Sequence, residues 1–156
     1  MIFPISRPFA LTLMFLLSTV ATALAADPAY EVKPTLAKAT IGAKATASVT
    51  IATKNGWHLN AEAPITLKLT PGSEISVEKP RLLRADLAAS SENSARFDVA
   101  LVASRAGTGE IAAEAGFVIC QDTLCRPIKE KLVIGVDANV PSAPAASKAS
   151  TKSRKK

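Results

Sequence analysis

Histidine, cysteine, glycine and aromatic residues are all scarce in this chain of 156 residues. It has one histidine, two cysteines, seven glycines, five Phe, one Trp and one Tyr. So little glycine excludes a collagen-like chain, and an apolar content of 48% excludes disorder over most of the length. One histidine and two cysteines are too few for a tetrahedral zinc site, and we predict no metal and no other cofactor. The length suits a single globular domain.

Long runs of one charge sign are missing from the body of the chain, although the formal net charge is +6. The excess positive charge comes from one arginine near the start and five basic residues near the end: Arg7, Lys148, Lys152, Arg154, Lys155 and Lys156. Residues 26–141 therefore hold 13 Lys and Arg against 13 Asp and Glu. A neutral body lacks the basic face that nucleic-acid binding requires, so we expect no nucleic-acid partner.

The first 25 residues have the pattern of a secretory signal peptide. Arg7 precedes an apolar run over residues 9–20, and small residues follow at 23 and 25. This pattern predicts cleavage after Ala25. The alternative is an uncleaved membrane anchor, because the 18 residues from 9 to 26 approach the length of a transmembrane helix. Export would place the protein in an oxidising compartment, which we expect to be the bacterial periplasm.

Large apolar residues are missing near the carboxyl end. Residues 142–156 consist only of Ser, Ala, Pro, Lys, Thr and Arg, so they cannot bury enough surface to become ordered. We predict a disordered basic tail, which either has no partner or makes weak contact with a membrane surface through anionic lipids. The predicted organisation is a signal peptide at 1–25, one domain at 26–141 and the tail at 142–156.

Apolar and polar residues alternate with a period of two through most of the predicted domain. Four stretches show this clearly: 45–51, 65–69, 75–77 and 97–103. Turn residues interrupt the alternation at Asn55-Gly56, Pro71-Gly72 and Gly107-Thr108-Gly109. The pattern predicts about seven or eight short strands, with a short helical turn or mobile loop within 82–95. We predict an all-β fold, an immunoglobulin-like β-sandwich, with a closed barrel as the alternative.

The two cysteines, Cys120 and Cys125, are too close in sequence to join distant strands. A disulfide between them can only clasp the ends of one hairpin. Such a bridge closes a loop of six residues and stabilises the fold by about 2 kcal/mol, which a domain of this size does not need. The pair is therefore predicted to be a redox centre, and a structural clasp is the alternative.

The residues beside the cysteines suggest which sulfur is the more reactive. Arg126 follows Cys125, and its positive charge would favour a thiolate there if the side chain turned toward the sulfur. Asp122 lies near Cys120 in sequence and would oppose ionisation. Pro127 lacks a backbone donor, which is typical of an edge strand or a loop exit. The charges of Arg126 and Asp122 favour Cys125 as the nucleophile.

The stretch from Phe117 to Pro127, together with Gly56-Trp57-His58-Leu59-Asn60, resembles the N-terminal periplasmic domain of the DsbD family of thiol:disulfide interchange proteins. The likeness covers roughly residues 30–136. It rests on three features: an aromatic residue three positions before the first cysteine, a Cys-x-Pro motif that begins with the second cysteine, and the upstream Gly-aromatic-x-Leu strand. The matching residues are Gly56, Trp57, Leu59, Phe117, Cys120, Cys125 and Pro127.

The resemblance implies an immunoglobulin-like fold whose hairpin disulfide passes electrons between proteins. The donor would be a thioredoxin-like domain or a membrane electron-transfer protein, here on another polypeptide, and the acceptors would be oxidised periplasmic thiol proteins. The resemblance also implies that Cys125 forms the mixed disulfide. In the family a cap loop shields the disulfide, and the corresponding residues here are Asp86 and Leu87, with no aromatic residue.

Two residues upstream of the cysteines have alternative interpretations. Trp57 is expected to plug the core, or else to form a binding platform. His58 should face the other side, as a surface histidine or as a group that tunes a thiolate. For the whole protein, the alternative to a thiol-disulfide oxidoreductase is a non-catalytic immunoglobulin-like interaction module with a structural disulfide.

Overall fold

The computed structural model describes residues 28–141, which form eleven β-strands and one 3-10 turn at Arg84–Asp86. The predicted signal peptide and basic tail lie outside the described residues. Within 28–141 no helix is long and apolar enough to cross a membrane. The strands are β1 (Tyr30–Pro34), β2 (Ala37–Thr40), β3 (Lys44–Thr53), β4 (His58–Leu59), β5 (Thr66–Pro71), β6 (Ile75–Val77), β7 (Arg81–Leu83), β8 (Leu87–Ser90), β9 (Ser94–Ala103), β10 (Gly107–Gln121) and β11 (Leu124–Asn139).

The strands form two sheets. The first sheet has the order β1-β3-β9-β6, and β8 pairs with another part of β9. The second sheet has the order β2-β11-β10-β5-β7, and β4 pairs with another part of β10. All these pairs are antiparallel except that of β2 with β11, which is parallel. The short strands at the edges explain why there are more strands than the sequence predicted.

The strand order is that of an immunoglobulin-like sandwich. If β1, β3, β5, β9, β10 and β11 are taken as strands A, B, C, E, F and G, the sheets contain A-B-E and C-F-G. The chain also changes sheets early, because β1 pairs with β3 while β2 pairs with the end of β11. The predicted all-β immunoglobulin-like sandwich is therefore confirmed, and the sheets are two rather than one closed barrel.

The core lies between the sheets and consists of alternate residues of the long strands. Val49 and Ile51 of β3 face Phe97 and Ala95 of β9 within the first sheet, and all four are buried. In β10 the odd-numbered residues from Ile111 to Ile119 are buried. Among the described residues no buried residue is polar or charged. The core is therefore apolar, as the period-two pattern predicted.

The turn predictions were partly right. Asn55 and Gly56 form a turn with φ angles of 55° and 79°, and Arg84–Asp86 supplies the short helical turn expected within 82–95. The prediction of a turn over residues 107–109 was wrong, because these residues pair with β11 as the start of β10. A Cβ on Gly109 would lie 2.8 Å from Cδ1 of Ile75. Glycine at this position therefore serves close packing within the sandwich.

Candidate functional site

The two cysteines form a disulfide across the end of the hairpin of β10 and β11. They lie opposite each other in the register, and two residues, Asp122 and Thr123, form the loop. Asp122 has φ of 51°, a conformation that Asp tolerates better than most residues. The Cα atoms of the cysteines are 4.1 Å apart, as in the close, non-hydrogen-bonded positions of an antiparallel pair. The prediction that a disulfide between Cys120 and Cys125 would join the two strands of one hairpin is confirmed.

The two sulfur-bearing residues differ in exposure. Cys120 is only 4% exposed. It lies on β10, between β11 on one side and β4 on the other. Cys125 is exposed, because within the described residues β11 has no strand on its other side until Val136. An incoming sulfur can therefore approach Cys125 much more readily than Cys120.

The upstream segment lies beside the cysteines, as the sequence predicted. In the short strand β4, Leu59 is opposite Ile119 and His58 is opposite Cys120. Residues that are opposite each other in a ladder point to the same face, so His58 is on the face of the disulfide. Trp57, one residue earlier, packs against the core. Trp57 is thus half-buried at the margin of the core, and His58 faces the other side of the sheet, as the alternation predicted.

The turn before β4 supports the end of the hairpin. The side chain of Gln121 donates a hydrogen bond from Nε2 to the carbonyl oxygen of Asn55 at 3.2 Å. A Cβ on Gly56 would lie 3.1 Å from the same Nε2, and Gly56 has positive φ. Glycine therefore suits this position both in conformation and in space. The turn and the hairpin loop are held together beside the disulfide.

Arg126 does not approach the cysteine that precedes it. It lies opposite Ile119 in the register, one position along β11 from Cys125, so it points to the other face. Its guanidinium carbon lies 5.4 Å from the centroid of the Trp57 ring, in a cation–π contact. The condition under which Arg126 would favour a thiolate on Cys125 is thus not met. Arg126 covers Trp57 instead.

Pro127 lies at an edge of the sheet, as the sequence predicted, and Phe117 lies in the core. Pro127 is exposed and lies opposite Val118, on the part of β11 that forms an edge of the sheet. Because the cysteine pair is non-hydrogen-bonded, so is the pair two positions along, and the missing N–H of Pro127 faces the free edge. Phe117 is buried beneath the site and packs edge-on against Tyr30, with ring centroids 5.3 Å apart.

Tyr30 links the first strand to the hairpin. Its hydroxyl group donates a hydrogen bond to Oε2 of Glu130 at 2.9 Å. Burial, and then this hydrogen bond, raise the pKa of Tyr30 above its usual value. The phenol therefore stays protonated at neutral pH and remains a donor. This contact holds β1 against β11 near the disulfide end.

The two predicted shielding residues make their contacts elsewhere. Asp86 pairs with Nζ of Lys79 at 2.5 Å and accepts a hydrogen bond from the N–H of Leu83. These two partners, Lys79 first, hold the pKa of Asp86 below its usual value. Leu87 lies in the first sheet, opposite Phe97, and packs against the core. Both contacts support the fold rather than the disulfide.

Asn60 is a neighbour of the disulfide whose role the sequence did not predict. Its Nδ2 lies 3.5 Å from Sγ of Cys120. Its Oδ1 accepts hydrogen bonds from the N–H groups of Glu62 and Ala63, which form an Asx turn. The signal available in the sequence was the turn-forming stretch from Asn60 to Pro64, but nothing local connected that stretch to a cysteine 60 positions away.

A cleft of about 570 Å³ opens beside Asn60. Polar and charged residues line part of it, including His58, Glu62, Arg84 and Glu92. Among the residues that the structure describes, no three His, Cys, Asp or Glu side chains cluster closely enough to hold a metal ion. Asn60 both lines this cleft and contacts Cys120.

Comparisons with known proteins match no family model and no curated protein. Among solved structures, a Caenorhabditis elegans MSP family member is 7% identical over 72% of this chain and 100% of its own, with a TM-score of 0.40. A PapD-like domain of human CEP192 is 13% identical over 85% and 99%, with a TM-score of 0.39. The AggA fimbrial subunit of Escherichia coli is 8% identical over 70% and 94%, with a TM-score of 0.38. Likenesses at this level carry no function, and the fold assignment rests on the strand order.

Proposed function

We propose that this protein is a periplasmic thiol-disulfide oxidoreductase, an electron-transfer relay whose redox centre is the Cys120–Cys125 disulfide. It would accept electrons from a thioredoxin-like or membrane reductase and pass them to oxidised periplasmic proteins, as the resemblance to the DsbD N-terminal domain implies. The observation that carries the proposal is the unequal exposure of the two cysteines. One sulfur is open to a partner, and the other is held inside the sheet.

The exchange would proceed through Cys125. A thiolate of the reduced donor attacks Sγ of Cys125, a new disulfide forms between the two proteins, and the electron pair of the broken bond moves to Cys120. The second thiol of the donor then attacks its own sulfur in the mixed disulfide and releases Cys125. The donor dithiol has become a disulfide, and this protein holds two thiols. The same steps in reverse order would reduce an acceptor.

The stability of the fold supports a role for the disulfide beyond stapling. The apolar core runs through both sheets and includes residues far from the hairpin end, such as Phe97 and Ile134, which are fully buried. A six-residue loop contributes about 2 kcal/mol, a small share of what such a core provides. We therefore expect the domain to stay folded when this bond is reduced.

A non-catalytic interaction module remains the second candidate, and one feature of the fold favours it. The edge of β11 between Leu124 and Gly135 has no partner strand among the described residues. A free edge can accept a strand from another protein. In that case the disulfide would only clasp the hairpin. The two candidates differ in how easily the disulfide is reduced.

The reduction potential of the disulfide tests the proposal. The purified protein is equilibrated with glutathione and dithiothreitol buffers, and the reduced fraction is measured. We expect a value between about −120 and −270 mV, the range of exchange proteins. A value below about −300 mV would identify a structural clasp and favour the interaction module.

Trapping of the mixed disulfide tests which cysteine is attacked. Cys120→Ser leaves the exposed Cys125 as the only thiol, and we expect it to form a stable mixed disulfide with a thioredoxin-like protein that lacks its resolving cysteine. Cys125→Ser is the matched control, because it leaves only the buried Cys120, and trapping should be at least about tenfold slower. Equal trapping by both variants would contradict the assignment of Cys125.

A further inference from the structure

We infer that Asn60 is a catalytic residue of this exchange, because its side-chain amide stabilises the thiolate that leaves on Cys120. The inference rests on the proposed function and adds a residue to which the family resemblance gives no role. When a donor thiolate bonds to Cys125, the electron pair of the old disulfide moves to Cys120. The rate of that step depends on how well the surroundings accept negative charge at that sulfur.

The surroundings of Cys120 are poor in water. The residue is 4% exposed, and an unpaired charge at a buried sulfur is costly. The Nδ2 group of Asn60, at 3.5 Å from Sγ, supplies a hydrogen-bond donor. Cys125 does not need such a donor, because it is exposed and water can solvate it. The amide donor thus lies beside the buried sulfur, which is the one that needs a hydrogen bond to stabilise its negative charge.

The orientation of the amide follows from its other contacts. Oδ1 of Asn60 accepts hydrogen bonds from the N–H of Glu62 at 2.9 Å and from the N–H of Ala63 at 2.8 Å. Two donors on one side of the amide identify that side as the oxygen. The NH₂ side must therefore face Cys120.

The backbone of Asn60 is also held at two points. Its N–H donates to the carbonyl oxygen of Val118 at 2.9 Å, which fixes it to β10 two residues before Cys120. Its carbonyl oxygen accepts a hydrogen bond from Nη2 of Arg84 at 3.0 Å, and the same nitrogen also bonds to the carbonyl of Ala63. The amide is thus preorganised and does not have to move when the charge appears.

The contact is stronger in the transition state than in the oxidised protein. A disulfide sulfur is a weak acceptor, whereas a developing thiolate makes a charge-assisted hydrogen bond. Only an interaction that strengthens in this way increases the rate. Other charged or titratable groups near Cys120 are His58 on the same face, Glu62 in the following turn and Arg84 behind that turn. Substitution of Asn60 or Ala61 leaves all three unchanged.

The test compares Asn60→Asp with Ala61→Asp. Asn60→Asp keeps an oxygen for the turn but replaces the donor with a carboxylate, whereas Ala61→Asp adds the same charge at the next, exposed position. The rate of disulfide reduction by dithiothreitol is measured at constant pH and ionic strength. We expect Asn60→Asp to slow reduction at least about tenfold, the effect of losing a hydrogen bond to a charged group. Ala61→Asp should change the rate less than about threefold, because exposed charges are screened.

A second measurement separates catalysis from structural support. In the Cys125→Ser background the pKa of Cys120 is measured from the ultraviolet absorbance of the thiolate against pH. Asn60→Asp should raise this pKa by at least about one unit, and Asn60→Ala should raise it by less. Circular dichroism checks that each variant is folded. If Asn60→Ala does not fold, the pKa of Cys120 in Asn60→Asp alone decides whether the amide stabilises the thiolate.

The inference and the proposed function fail in different ways. If Asn60→Asp and Ala61→Asp give the same reduction rate and the same pKa of Cys120, the role of Asn60 is refuted, even where the unmodified protein has the potential of an exchange protein. If the unmodified protein has a potential below about −300 mV, the proposed function is refuted, whatever the two variants do.

Discussion

Cys120 and Cys125 share one bond but have different surroundings. Cys120 belongs to a strand with neighbours on both sides, and Cys125 belongs to a strand that is an edge at that point. The difference arises from sheet position and not from the residues that follow each cysteine in sequence. Arg126 illustrates this, since it stacks on Trp57 on the other face. Accessibility, more than a neighbouring charge, distinguishes the two sulfurs.

Replacement of Arg126 tests this view at the scale of one residue. We expect Arg126→Gln to change the rate of reduction by dithiothreitol less than about twofold, because the guanidinium group faces away from the sulfur. The free energy of unfolding should fall by about 0.5–1 kcal/mol as the cation–π contact is lost. Lys129→Gln is the control, since it removes the same charge from an exposed position of β11. A rate change with Arg126→Gln that exceeds the control severalfold would show that its charge does reach Cys125.

The direction of a side chain could not be predicted from local sequence at this site. Arg126 and Cys125 point to opposite faces only if β11 is regular at the cysteine. A β-bulge at that position would place both side chains on the same face. The same limit applies to Asn60, which reaches Cys120 only through pairing across 60 positions. Alternation along one strand, by contrast, is local. It predicted the buried residues of β3 and β9, such as Val49 and Phe97, because burial depends directly on period.

At the scale of elements, the site is built from three short pieces of backbone. They are the turn at Asn55-Gly56, the strand β4 and the loop that joins β10 to β11. The turn contacts the loop through Gln121, and β4 pairs with β10 at the cysteine. The sequence predicted that these pieces adjoin through a family resemblance, and the register now gives the pairing. The wrong prediction at residues 107–109 shows that glycine alone does not identify a turn.

Gly56 and Gly42 provide a matched pair for testing the contact between the turn and the loop. Both have positive φ, of 79° and 73°, but only a Cβ on Gly56 would meet a neighbour, Nε2 of Gln121 at 3.1 Å. We expect Gly42→Ala to cost about 1 kcal/mol of unfolding free energy from backbone strain alone. Gly56→Ala should cost more and should also alter the rate of disulfide reduction. Identical effects of the two variants in chemical denaturation would mean that the turn does not support the loop.

At the scale of the whole molecule, we expect the two sheets and their core to remain folded when the disulfide is reduced. The long strands β3, β9 and β10 bury one apolar face along most of their length, and β11 adds Ile134, Val136 and Ala138 to the core. The bond lies at one end of this structure and closes only a short loop. The core and the proposed redox centre therefore occupy different parts of the molecule.

Removal of the disulfide should leave the sandwich folded. We expect the double variant Cys120→Ser with Cys125→Ser to lose about 2 kcal/mol of unfolding free energy and to keep the far-ultraviolet circular dichroism of the parent. The comparison is Phe97→Ala, which removes a fully buried ring and should cost about 3–5 kcal/mol. If the double serine variant is the less stable of the two, the disulfide is a structural requirement and the core is not sufficient.

The described chain enters and leaves the sandwich at opposite poles. Pro28 and Ala29 accept hydrogen bonds from Asn55 and Lys54, beside the turn that supports the disulfide. From that pole β11 runs 16 residues to Asn139, a path of about 50 Å. The disulfide thus lies at the pole where the described chain enters, and the end of β11 lies at the other pole. A tether at the carboxyl end would present Cys125 outward, whereas one at the amino end would hold the same sulfur close to whatever the protein is attached to.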